Sequence, residues 1–146
     1  MNFKIVIPSY NRVEILKERT LSFLDKHKID KSLIYIFVVR EEFDKYNEAL
    51  HDDYNIIVGK KGISNQRGFI SEFFEEGEPL VSMDDDIKEI YELYFSTAGA
   101  GNKKKLKPIT LLERFLKSLF KKMKQKKVRM CGFYPVKNAF FMNKNT

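Results

Sequence analysis

Four short apolar runs set the tightest limit on what this chain can fold into. They are "FKIVIP" (residues 3–8), "LIYIFVV" (33–39), "YNIIV" (54–58) and "PLVSM" (79–83). Each ends at proline, arginine, glycine or aspartate, and each is short and largely apolar, as buried strands are. None approaches the roughly 18 apolar residues that a membrane span needs. The segments between them carry apolar residues at helical spacing. Val13, Leu16, Thr20 and Leu24 predict a helix over 13–28, and 41–51 reads as a shorter one. Phe69, Ile70, Phe73 and Phe74 mark the buried face of a third, with Ser64 as N-cap, Arg67 at its third position and Gly77 as its stop. Strands alternating with helices specify an α/β sandwich around a mostly parallel sheet.

In such sheets ligands bind beyond the carboxyl ends of the strands. "SYNR", "REEF", "GKKG" and "DDD" each follow a strand, so all four are expected on one rim. Asp84 and Asp86 flank one residue. On an extended segment both would face one ligand while Asp85 points elsewhere. Hard carboxylate oxygens suit Mg2+ or Mn2+, and such an ion would offset their mutual repulsion. The plain alternative is a polar strand end with a helix-capping aspartate. In "IPSYNR", Pro8 stiffens the strand exit, and Ser9, Asn11 and Arg12 offer donors beside the stackable ring of Tyr10. An ordinary strand-to-helix turn would use the same residues. "GKKGISNQRGF" places glycines ahead of a helix N-terminus, an arrangement that attracts anions. Gln66 and Arg67 could then reach a diphosphate, while Lys60 and Lys61 read as solvated loop lysines.

The remainder differs in character. Residues 88–95 alternate apolar and polar and predict a strand or short helix. Residues 96–107, "STAGAGNKKKLK", predict a mobile loop. Residues 108–127 form an amphipathic helix with Leu112, Phe115, Leu116, Leu119, Phe120 and Met123 on one face, and Thr110 and Glu113 at capping-box spacing. "VRMCGFYPV" (128–136) predicts a further strand, with Cys131 as a small buried residue. A single cysteine excludes an intrachain disulfide and a cysteine zinc site, and it fits a reducing, cytoplasmic setting. Apolar Phe140, Phe141 and Met142 near the end suggest a piece of a longer protein. Charge divides too. Residues 1–92 hold 13 Lys+Arg and 19 Asp+Glu, a net of −6, whereas 93–146 hold 14 Lys+Arg and one acid, a net of +13. A basic last third points to a polyanionic partner or to a solvated lysine face.

Taken in order, "IPSYNR", "GISNQRGFI", "SMDDDI" and "GFYPVKNAFFM" resemble nucleotide-sugar glycosyltransferases of the GT-A fold, similar to family 2. Within these the sequence is most similar to the viral and phage TET/JBP-associated type. The resemblance implies a single GT-A domain over 1–146, an α/β/α sandwich. Residues 1–92 would be the nucleotide- and metal-binding part, and 93–146 the basic acceptor side. It implies a metal-dependent transferase moving a sugar from a nucleotide sugar, a UDP-sugar first, to an acceptor hydroxyl. Hydroxymethylated bases in DNA are an acceptor of that type, and the setting would be host cytoplasm. Asp84, Asp85 and Asp86 would form the Asp-x-Asp motif, with Asp84 and Asp86 on Mn2+ or Mg2+ and Asp84 and Asp85 on the donor. Pro8, Ser9, Tyr10, Asn11 and Arg12 would hold the nucleotide, and Gly62, Gln66 and Arg67 would lie near base and diphosphate. Relatives carry an acidic pair after the second strand. "VVREEF" has Arg40, Glu41 and Glu42 there, so Arg40 joins the donor set and the base stays open. Gly68 stands where many relatives have Asn. No general base is identifiable, since Glu113 is the sole acid after Glu92. Two other functions share parts of this pattern: a nucleotidyltransferase of the same fold, and a non-catalytic basic module binding nucleic acid.

Overall fold

The sheet forms where the four apolar runs predict it. β1 (Lys4–Pro8), β2 (Ile34–Val38), β3 (Asn55–Val58) and β4 (Leu80–Ser82) lie in the order β3-β2-β1-β4, and every neighbouring pair is parallel. The computed structural model describes residues 3–51, 53–96 and 103–133. Its backbone contacts divide the chain into two compact units, Met1–Lys88 and Glu89–Thr146, close to the boundary between the acidic and basic parts.

Both faces of the two central strands, β1 and β2, are buried. Ile5 and Ile7 of β1 are sealed from solvent on one face, while Val6 points to the other. Val6 joins Phe37 and Ile70, with Tyr35, Ile57, Phe69, Phe74 and Leu80 packed around them. Ile70 and Phe69 belong to α4 (Ile63–Phe73), so this helix covers that face. The predicted helix over 13–28 is built as α1 (Val13–Leu16), a π-helical turn (Lys17–Leu21) and α2 (Ser22–Lys26). After β2, a 3-10 turn (Arg40–Glu42) leads into α3 (Phe43–Leu50).

The ends of α4 differ from expectation. Its N-cap is Gly62 at φ 91, without a side-chain cap, so Ser64 lies inside the helix and Arg67 is two residues further in than predicted. Only glycine holds this positive φ without strain. The helix stops at Phe73 because Phe74 turns extended, and Gly77 serves the next turn at φ 91. Phe73 remains partly exposed.

In the second unit, β5 (Tyr91–Ser96) pairs antiparallel with β6 (Lys103–Pro108), with Leu93 opposite Leu106. Part of the predicted loop over 96–107 is therefore strand: backbone pairing with β5 outweighs the lysine-rich composition. α5 (Leu112–Gln125) buries Leu112 and Leu116. Its N-cap is Leu111, not Thr110, and Glu113 pairs with Lys117 at 2.6 Å instead of closing a capping box. The strand predicted over 128–136 is absent from 128–133, where the chain is exposed. Cys131 is accordingly exposed and not a core residue, its thiol 3.4 Å from Met123 Sδ. The rest of "GFYPVKNAFFM" and residues 97–102 lie outside the described residues. Among the described residues, no helix is long and apolar enough to cross a membrane.

Candidate functional site

The exit of β1 is shaped by backbone demands. Ser9 N–H still pairs with Phe37 C=O at 3.0 Å. Asn11 then adopts φ 52, a left-handed conformation that Asn tolerates better than most residues. Its N–H donates to Glu42 Oε2 at 2.7 Å. The next N–H, from Arg12, donates to the Tyr46 hydroxyl at 3.1 Å. Ser9 Oγ lies 2.8 Å from that hydroxyl and donates at 2.8 Å to Asp85 Oδ2. Because the single Ser9 proton goes to Asp85, Tyr46 must donate to Ser9. The direction is thus set from Arg12 N–H through Tyr46 and Ser9 to Asp85, and such a chain is mutually reinforcing. Burial raises the Tyr46 pKa, with the Ser9 bond opposing it, which keeps the phenol protonated as the chain requires.

The three aspartates follow β4, whose pairing continues through Met83 N–H to Val6 C=O. They sit at a turn, not on an extended segment. The expected alternation therefore fails: Asp85 does not point elsewhere but is 5% exposed and lines the same cleft as its neighbours. Arg12 spans two of them, with Nη1 3.0 Å from Asp85 Oδ1 and Nη2 3.0 Å from Asp86 Oδ2. The Asp86 hydrogen bond first, then the Asp85 charge, raises the Arg12 pKa above its ordinary value. Arg67 Nη2 meets Asp84 Oδ1 at 2.9 Å. Two arginines thus offset the repulsion that the sequence raises. The turn is also pinned from behind. Thr20, fully buried in the π-helical turn, donates to Asp84 C=O at 2.8 Å and accepts from Ile87 N–H at 2.9 Å.

At the end of β3, Gly59 N–H pairs with Val38 C=O at 2.8 Å. Gln66, one turn into α4, folds back so that Oε1 accepts from Lys60 N–H at 2.7 Å. A Cβ at Gly59 would overlap that oxygen, so this approach requires glycine.

These segments enclose a cleft of about 470 Å³ at the carboxyl rim of the sheet, within the usual range for a small-molecule site. Of the residues singled out in the sequence, Pro8, Ser9, Tyr10, Arg12, Gly62, Gln66, Asp84, Asp85 and Asp86 line it. Arg67 joins through Asp84, and Asn11 shapes the turn beside it. Arg40 opens the 3-10 turn after β2 and is not part of the lining, where Val39 stands instead. Lys60, Lys61 and Ile63 also line the cleft. Thr20 and Tyr46 escape sequence reasoning. A hydroxyl within an apolar stripe was the one signal for Thr20.

The carboxylates of Asp84 and Asp86 stay well exposed, 62% and 40%, on one wall of the cleft. Among the described residues, no three His, Cys, Asp or Glu side chains are grouped to hold an ion by themselves. Two hard oxygen donors fit a divalent ion that takes its other ligands from phosphate and water. Comparison with family models, with curated proteins and with solved structures returned no match for this chain.

Proposed function

We propose that this cleft binds a nucleoside diphosphate sugar, UDP-linked in the first instance, and that the protein is a metal-dependent glycosyltransferase with a GT-A type architecture. One observation carries the reading: the β1 exit, the α4 N-terminus and the aspartate turn converge on one cleft at the carboxyl rim. Asp84 and Asp86 would hold Mn2+ or Mg2+. The ion, when bound, would act as a Lewis acid toward the leaving diphosphate. Asp85, held by Ser9 and Arg12, keeps the turn in place. Arg12 and Arg67 pair with the carboxylates of Asp86 and Asp84 and are placed to meet phosphate oxygens. Lys60 and Lys61 add positive charge to the lining. In the second unit, exposed Lys105 and Lys107 on β6 and Lys121, Lys122 and Lys124 on α5 favour an acidic acceptor such as DNA.

Thermal stability, measured with UDP and Mn2+ separately and together, tests this proposal. Ligand at about 100 times its Kd stabilises by about 2.7 kcal/mol. The wild type should gain most with both ligands present, and Asp86→Ala should lose that gain. Absence of metal-dependent stabilisation in the wild type overturns the proposal.

A further inference from the structure

Gln66 is 5% exposed, yet it lines the cleft. Its side-chain orientation is settled by chemistry. Lys60 N–H can only donate, so the atom it meets at 2.7 Å is the amide oxygen. The amide nitrogen has no acceptor among the described residues. That nitrogen is not sealed from solvent, so its free donor capacity opens to the cleft, where water or a ligand must accept from it. The cleft is where that acceptor would come from.

Position narrows what the acceptor is. Gln66 is bound to the end of β3, whereas the aspartates follow β4. In the order β3-β2-β1-β4 these strands are three intervals apart, about 14 Å at roughly 4.8 Å per interval. A diphosphate seated at Asp84 and Asp86 would leave the other end of the nucleotide, its base, near Gln66. Tyr10 and Ile63, 55% and 60% exposed in the same lining, offer apolar surface for a planar ring.

We propose that Gln66 is a base-specificity residue whose amide N–H donates to a ring carbonyl, selecting a 4-keto pyrimidine over its 4-amino counterpart. This rests on the nucleotide reading above. Uracil presents an acceptor at that edge and cytosine a donor. With its oxygen already engaged, Gln66 cannot rotate to accept from an amine without breaking the Lys60 bond. Gly59 belongs to the device, since any side chain there would displace the amide.

The test compares UDP with CDP by calorimetric titration in Mn2+, for the wild type, Gln66→Glu and Gly59→Ala. Both nucleotides carry the same diphosphate, so the added charge of Gln66→Glu cancels in their affinity ratio. Glutamate can still accept from Lys60 N–H. Gly59→Ala disturbs the amide without changing charge. The wild type should prefer UDP by about tenfold or more. Gln66→Glu should abolish or invert that preference, and Gly59→Ala should reduce it. Equal affinities in the wild type, or a ratio unchanged by both substitutions, overturn the Gln66 assignment and leave metal-dependent nucleotide binding standing. Failure of both nucleotides to bind overturns the nucleotide reading and this assignment with it.

Discussion

Ser9 and Asp85, far apart in the chain, are joined by a buried hydrogen bond of 2.8 Å from Ser9 Oγ to Asp85 Oδ2. This bond ties the exit of β1 to the turn after β4. Tyr46 from α3 completes it by donating to Ser9. Three elements distant in sequence thereby hold one carboxylate, which Arg12 then neutralises.

That chain predicts coupled energetics. Tyr46→Phe removes the donor to Ser9 and the acceptor for Arg12 N–H, and should destabilise by about 1–3 kcal/mol. Ser9→Ala should cost a similar amount. The double variant should lose less than the two together, because each single change already breaks the chain. Urea denaturation of the four proteins measures this; strict additivity would contradict the directed chain.

Thr20 should behave as a positioning residue. Thr20→Val keeps the side-chain shape but leaves Asp84 C=O and Ile87 N–H without their partner, at about 1–3 kcal/mol. Metal-dependent UDP binding should weaken in parallel, and Thr20→Ser should restore both. Denaturation and calorimetry on the same preparations separate a folding defect from a displaced turn.

Arg67→Ala should leave stability nearly unchanged, within about 1 kcal/mol, because its pair with Asp84 is solvent-exposed. UDP affinity in Mn2+ should nonetheless fall by about tenfold or more, since a phosphate partner is lost. An affinity equal to wild type would remove Arg67 from the donor site.

Alkaline stability should depend on Tyr46. Burial holds its folded pKa above the ordinary 10.0. Below pH 10.0 both states keep the proton and the contribution is intact. Above it the unfolded chain ionises first, and the contribution is lost as pH rises through the folded value. The wild type should therefore lose stability above about pH 10, more steeply than Tyr46→Phe. Lysines titrate in both proteins and drop out of the difference.

Local patterns were legible where neighbours in sequence decide the outcome. The four strands follow from short, largely apolar runs, and Asn11 and Gly62 stand where the backbone needs their φ preferences. Local rules failed where a distant partner intervenes. Lysine-rich 103–107 became strand because Tyr91–Ser96 supplies its hydrogen bonds. Ser64 lost the N-cap to a glycine two residues earlier. Asp85, expected to point away, is drawn in by Ser9 and Arg12.

Through β4, the order of strands and helices and the grouping of polar segments after strands were determined by the sequence alone, because side-chain period and strand length are local properties. Which carboxylate is buried, which arginine each aspartate meets and which way the Gln66 amide faces were decided by the tertiary structure. Those outcomes depend on hydrogen-bond partners that only folding brings within 3 Å, and no local pattern encodes them.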